Sequence, residues 1–474
     1  MFVSTYVRRF PAAGGTERMT RMILCKDRDF YRRAIKLSGY IALQNVIVCF
    51  VGLVDNIMIG AYSQDALSGI ALANQIQFLL QMVVNGAGEG MAVLAAQYWG
   101  ARKVQPIRRV LAIALDFALL LALGFLIVAQ LMPEKLLGML TSDAAAIGEG
   151  AKYMRIVSFS YLFFAAGMVL NSAQRSIENV RVGMVSSLTG VVLNVVLNYT
   201  LIFGHFGMPR LGVAGAAIAT LVARIAEFSV TATYTYVIDK KLIVKLMDFL
   251  KPEKLMVKDY IRVAFPVVCS GANWGIAMTF QTSILGHMGS SAIAANSIAN
   301  SLFQVVSVMC YGLASAAGVL VGKAVGSGDL DKLKGYVNSL QLMFLCVGVC
   351  SSLILFSLRE VVLSAYAVSP EALEMARSFM NVLCITIIGT AYQAACLTGI
   401  VRGGGNTSFV FRNDLIFQWL IVLPISALAA YVWHMSPVWV FFFLKSDQLT
   451  KCLVAVWQVN SYRWVRKVTR DDAA

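Results

Sequence analysis

Charge is scarce in this sequence. Asp, Glu, Lys and Arg make up 14% of 474 residues, against 58% hydrophobic, and a soluble chain of that length needs far more charged surface. Histidine is scarcer still: His205, His287 and His434 lie far apart, with no metal-ligand spacing among them. The nine cysteines are scattered, mostly in apolar stretches and without a CxxC pair, and read as small buried hydrophobes. No Walker A loop, GxSxG or HExxH occurs, which removes the common signatures of nucleotide hydrolysis, acyl transfer and metalloprotease chemistry. The chain is therefore expected not to be an enzyme and to use no cofactor. Any transport it performs draws on an ion gradient or on the substrate's own gradient.

What is present is apolar sequence in lengths that cross a bilayer, about 20 residues per helical span. Twelve spans are expected, at 36–59, 65–97, 108–131, 150–173, 181–203, 212–238, 261–286, 292–324, 336–358, 375–400, 410–432 and 437–459. Lys and Arg collect ahead of the first span and in every second loop thereafter, which accounts for the net charge of +15. By the positive-inside rule both termini are cytoplasmic in the cell (inner) membrane. Basic patches also suit nucleic acid, but their alternation with apolar spans assigns these to the bilayer surface, and no nucleic-acid partner is expected. Residues 1–33 read as a disordered cytoplasmic extension rather than a cleaved signal peptide, with Met19 or Met22 as alternative starts.

The chain repeats itself. Gly60, Ala66, Ala73, Asn74, Gly86, Val93, Leu94 and Gly100 recur 226 residues later as Gly286, Ala292, Ala299, Asn300, Gly312, Val319, Leu320 and Gly326. Arg175 and Asn179 match Arg402 and Asn406 with the offset grown by one. A repeat of six spans enters the membrane twice in the same direction, which implies a pseudo-twofold axis along the membrane normal. The expected fold is an all-α integral membrane protein of twelve transmembrane helices in two six-helix bundles facing a central cavity. An N-lobe over 34–238 and a C-lobe over 261–460 are joined by a cytoplasmic loop, 239–260, and followed by a cytoplasmic tail, 461–474. Such a pair of lobes suits alternating access by rocking.

Polar residues inside the spans are the functional candidates. Asp55 is a lone carboxylate near the end of the run Ala42 to Ile59; a charge there either marks an ion or substrate path or snorkels to the headgroups. Its counterpart in the repeat is Gln281, so only one lobe keeps the acid. Asn74, Gln77, Gln81, Asn85 and Glu89 recur at spacings of three and four on one face of the second span. That stripe is expected to line the cavity together with Gln281, with Glu89 attracting cationic substrate. Arg224 with Glu227, and Asp447 with Lys451, have the spacing of intrahelical ion pairs and read as structural. Asp116 is expected to pair with a cytoplasmic arginine such as Arg109.

Several segments, taken in order and spacing, resemble the multidrug and toxic compound extrusion (MATE) family over roughly residues 33 to 468. They are VDNIMIG at 54–60, AAQYWGA at 95–101, LNVVLNYTLIFG at 193–204, GVAGAAIAT at 212–220 and GHMG at 286–289, with Trp464 to Thr469 resembling the family's ending. The resemblance implies export of amphipathic, often cationic, organic compounds in exchange for H+ or Na+. It places Asp55 in an N-lobe cation site with Asn194 and Thr220. Asn198 stands where many relatives have a second aspartate. One carboxylate with two amide oxygens and a hydroxyl still makes a hard-cation cage. In the seventh span Pro266 and Trp274 keep the family spacing, but the Asn-Glu pair between them reads Ser270-Gly271, so coupling is expected in the N-lobe alone. The expected partners are a small organic molecule and the lipid bilayer, with the monomer as the working unit. The rival reading is a lipid-linked oligosaccharide flippase of the same superfamily.

Overall fold

The computed structural model describes residues 24–245, 248–249, 253–364, 366 and 368–470, and among these the secondary structure is almost wholly helical. In chain order the main helices are α1 Arg28–Tyr62, α2 Gln64–Gly100, α3 Val104–Leu131, α4 Ala144–Val157, α5 Ser160–Ser176, α6 Arg181–Phe203 and α7 Val213–Thr233. They are followed by α8 Lys254–Gly286, α9 Ser290–Ser327, α10 Leu330–Ser364, α11 Pro370–Ala394, α12 Thr407–Leu415, α13 Pro437–Lys445 and α14 Asp447–Asn460. Wider π-type turns extend α7 to Asp239 and α11 to Val401, and alternate with α-turns from α12 as far as Val432. Local signals set several boundaries. Asp143 caps α4 by accepting from the Ala145 amide at 3.0 Å, and Ser369 caps α11 just before Pro370, both satisfying amides that have no intrahelical partner.

Among the described residues ten helices are long and apolar enough to span a bilayer. Two expected spans differ. The fourth is α4 and α5, bent by 56° rather than one helix over 150–173. Gln130 of α3 compensates the break, donating to the freed Arg155 carbonyl at 2.6 Å and to the Ser158 hydroxyl at 2.8 Å. The twelfth is α13 and α14, which meet at Ser446. Counting the bent α4–α5 pair as one crossing gives eleven among the described residues. The ends also differ: α1 starts at Arg28, inside the expected extension, whose residues 1–23 lie outside the described residues. α8 starts at Lys254, inside the expected loop.

The chain folds as two compact units. One holds Leu43–Ala95 and Lys103–Val268; the other holds the described residues up to Ala42, Ala96–Arg102 and the described residues from Cys269 onward. The break in α8 at Val268 falls 226 residues after the break in α1 at Ala42, so the two halves of the repeat exchange equivalent helix beginnings. Within the first unit Gly86 of α2 lies so close to α8 that a Cβ there would sit 2.6 Å from the Val268 backbone. At its repeat partner in the second unit, Gly312 of α9, a Cβ would sit 3.0 Å from the Ser38 carbonyl oxygen and 3.1 Å from the Ala42 amide nitrogen of α1. Glycine at both sites is required by close backbone approach, not by turn geometry.

The second unit contains a further matched pair. A Cβ on Gly100 would collide with the Lys323 carbonyl, and one on Gly326 with the Gln97 carbonyl; these four residues are themselves repeat partners. The C-terminal segment locks this crossing. The Gln97 side chain donates to the Arg466 carbonyl at 3.1 Å and accepts from the Val468 amide at 2.9 Å. Trp464 is fully buried and donates to the Val459 carbonyl at 2.8 Å. The expected cytoplasmic tail is thus a packed strap as far as Arg470.

Candidate functional site

In the first unit the one carboxylate of α1's apolar run meets the polar residues of α6 and α7. Asn198 Nδ2 donates to Asp55 Oδ1 at 2.6 Å and to Asn194 Oδ1 at 3.1 Å. Asn194 Nδ2 in turn donates to the Thr220 hydroxyl at 3.5 Å. Positions 190, 194 and 198 share one face of α6 because they stand four apart, and residues 220, 224 and 227 share one face of α7. These two helices pack side by side, so the faces form the rungs of a ladder. Tyr153 of α4 is buried beside Thr220. Asn194 and Asn198 are buried, whereas Asp55 and Thr220 are half-buried. Asn198 Oδ1 is buried and takes no hydrogen bond among the described residues, which leaves an open acceptor beside the carboxylate.

One helical turn from Thr220, Arg224 Nη1 donates to Glu227 Oε2 at 2.7 Å. Glu227 fits only because Gly190 of α6 has no side chain: a Cβ there would collide with its carboxylate. The guanidinium stacks 5.2 Å from the centre of the Phe164 ring. The expected structural ion pair thus stands one helical turn from Thr220 of the candidate cation site.

The α2 stripe keeps to one side of its helix. Asn74 is exposed and Gln77, Gln81, Asn85 and Glu89 are half-buried, while Ala73, Leu80, Val84 and Ala87 on the opposite side are buried. Glu89 is not a free carboxylate: Arg175 Nη2 donates to it at 2.5 Å and to Ser172 at 3.3 Å. Gln281 is half-buried and belongs to the other unit.

Two expected ion pairs change. Arg109 pairs with Glu253 at 2.9 Å instead of Asp116, because the loop before α8 brings a nearer carboxylate. Lys451 lies 3.2 Å from Asp447 and also 3.3 Å from Asp414 of α12, so the pair is a triad. Asp447 carries the triad onward to Gln448, whose amide nitrogen donates to it at 3.0 Å, and Thr390 and Gln393 of α11 donate to Gln448 Oε1. Asp414 and Tyr153 were missed in the sequence because both come from elements remote from their partners, with no local spacing to announce them.

Comparison with known proteins places this geometry. The MatE family model matches residues 41–200 and again 267–428, its two starts separated by the same offset as the repeated glycines. The chain is 26% identical over 402 residues to a probable multidrug resistance protein NorM of Thermotoga maritima, covering 84% of this chain and 85% of that one. It is 25% identical over 421 residues to the multidrug resistance protein PmpM of Pseudomonas aeruginosa, covering 86% and 85%. A solved multidrug resistance MATE transporter of the MOP superfamily, in an outward-facing conformation, superposes with a TM-score of 0.82 at 19% identity, covering 93% of this chain and 99% of that chain. A MOP superfamily transporter from Pyrococcus furiosus superposes equally well, at 0.82 and 19%, and both likenesses concern the fold. With the family model matched along both halves of the repeat, the chain belongs to the MatE family of multi-pass membrane transporters.

Proposed function

We propose that this protein is a secondary antiporter that exports amphipathic, often cationic, organic compounds in exchange for H+ or Na+ by alternating access. The carrying observation is the file of Asp55, Asn198, Asn194 and Thr220, with the Asn198 Oδ1 acceptor left open beside the only carboxylate of the file. Such a group alternates between an ionised state and one neutralised by a proton or Na+, and neutralisation biases the lobe between two packings. The naming of two similar proteins as multidrug resistance proteins supports the substrate class. The α2 stripe, accessible on one side of its helix, supplies hydrogen-bonding partners for substrate. The working unit is a monomer in the cell (inner) membrane with both termini cytoplasmic.

The test is dye efflux from cells and from liposomes under an imposed ion gradient. Asp55→Asn is expected to abolish gradient-driven efflux at unchanged expression, and undiminished efflux would refute the assignment. A lipid-linked oligosaccharide flippase shares the lobes; purified protein that moves a polyprenyl-linked sugar and not a fluorescent cation would favour that reading instead.

A further inference from the structure

The α6–α7 pair does not stay closed along its whole length. Ser186 Oγ of α6 donates to the Glu227 carbonyl of α7 at 2.8 Å. Past that contact, toward the start of α6 and the end of α7, a cleft of about 580 Å³ opens between the two helices. That volume lies within the roughly 300–1,000 Å³ of small-molecule sites. Val182 and Val185 of α6 and Val230 and Ile238 of α7 give it apolar walls, and Asn179 and Arg181 line it where α6 begins. Among the described residues Arg181 is the one charged side chain of the lining. All of these residues belong to the first unit.

Two local features shape the cleft. α7 widens into π-type turns over Tyr234–Asp239, and Tyr234 and Ile238 of those turns line it; such wide turns recur at functional sites. Gln174 of α5 ties the inner side together, donating to the Thr235 hydroxyl at 3.0 Å and accepting from Asn179 Nδ2 at 3.0 Å. Both Gln174 and Thr235 are fully buried, so the position of Asn179 is fixed from behind.

The cleft opens on the side that α6 turns to the acyl chains. Val185 lines it and also heads a row of exposed side chains, Leu188, Val192 and Val196, at helical spacing. From Ser229 to Ile238 the α7 wall rises about 14 Å, near half of the roughly 30 Å hydrocarbon core. The segments at its polar end, 176–181 and 239–241, hold Arg181, Lys240 and Lys241 against Glu178 and Asp239. Arg108 of α3 joins this end, its Nε donating to the Lys241 carbonyl at 2.8 Å. Cation excess marks it as the cytoplasmic end. A basic pocket between transmembrane helices on that side suits an anionic lipid headgroup.

We propose that this cleft is a phospholipid-binding site, with an acyl chain between α6 and α7 and an anionic cytoplasmic-leaflet headgroup held at Arg181 and Asn179. Charge and depth select the occupant. A free anion gains nothing from the apolar walls, a zwitterionic lipid brings its own cation to Arg181, and an amphipathic cation meets like charge there. The lipid fills the gap that the two helices leave below Ser186 and is a resident ligand, not the exported molecule. The proposal does not depend on the reading of Asp55, because lipid binding is measured without transport.

The experiment uses the delipidated full chain in detergent, titrated with phosphatidylglycerol or phosphatidylcholine of identical chains and followed by native mass spectrometry. Phosphatidylglycerol is expected to bind about tenfold more tightly, the worth of one charge-assisted hydrogen bond. Arg181→Gln should remove most of that preference, whereas Arg210→Gln, at the opposite end of α7, should keep it. Val185→Trp, which fills the cleft, should weaken both lipids. Phosphatidylglycerol carrying a photoreactive acyl chain should label the natural protein at residues 182–185 and 229–238, which decides the question even if a variant does not fold. Equal affinity for the two lipids, labelling confined to other helices, or unchanged binding in Val185→Trp would overturn the proposal. Full displacement of the lipid by inorganic phosphate would also overturn it, since the site would then hold an anion without its chain.

Discussion

The side-chain amide of Asn198 holds the carboxylate of Asp55 at 2.6 Å, joining residues 143 positions apart in the chain. The same nitrogen reaches Asn194, so the amide orients the acid against the α6–α7 ladder. A hydrogen bond to a charged group contributes about 1.5–3 kcal/mol. Asn198→Ala is therefore expected to lower coupled efflux by about ten- to a hundredfold while leaving the amount of folded protein near normal, measured as initial dye-efflux rate per unit of protein. Undiminished efflux would show that Asp55 is positioned without it.

Glu89 and Arg175 are expected to behave as one unit. Their side chains are 34% and 17% exposed, so solvent screening reduces the cost of breaking the pair below that of a fully buried one, to about 1–2 kcal/mol. Glu89→Gln should lower thermal stability, and Glu89→Gln/Arg175→Gln should recover part of the loss because no charge is then left without a partner. If Glu89 acts on substrate as well, the double variant regains stability but still exports strongly cationic dyes poorly. Recovery of both properties would confine Glu89 to a packing role.

Lys451 serves two carboxylates at 3.2 and 3.3 Å, and it and Asp447 are both 8% exposed in their side chains. Lys451→Met leaves both acids without a counter-ion and is expected to cost about 3–5 kcal/mol. Thermal unfolding of the detergent-solubilised protein should place it well below Asp447→Asn, which leaves Lys451 the Asp414 carboxylate. Equal losses in the two variants would mean that Asp414 is no effective partner.

Outside the spans, Asp329 precedes α10 and accepts from Lys332 twice, at 2.8 Å from the side chain and 3.1 Å from the amide. The Lys332 side-chain hydrogen bond, followed by the backbone amide, holds the Asp329 carboxyl below its ordinary range. A carboxyl depressed on folding stabilises the folded state above its unfolded pKa, and that contribution is lost as pH falls through the folded value. Asp329→Asn should therefore lower the melting temperature slightly at neutral pH. The difference from the natural chain should narrow below the ordinary carboxylate range of about pH 4. A difference independent of pH would assign the effect to capping geometry.

The spans, the repeat and the one intramembrane acid near Gly60 were legible in the sequence because each depends on local composition or on a fixed offset. Hydropathy marks a bilayer crossing without regard to partners, and the glycines of a duplicated chain keep their spacing wherever close backbone approach is required. Gly86 and Gly312 illustrate this, each lying against the beginning of a helix from the other half of the repeat. Asn194 and Thr220 came from family resemblance, since nothing in their own neighbourhoods distinguishes them from other polar residues on packed helices.

Tertiary structure decided which charges meet. Arg224 and Glu227 were recognisable as a pair from a spacing of three, but only the packing of α7 against α6 sets Glu227 against Gly190. Glu89 read as a free carboxylate until α5 supplied Arg175, and Asp447 with Lys451 read as a closed pair until α12 supplied Asp414. Tail residues Trp464 to Thr469 read as a motif, and the fold makes them a strap over Gln97. Periodicity reports the face on which a residue lies; the residue opposite that face depends on helix packing, which brings together positions with no fixed distance in sequence.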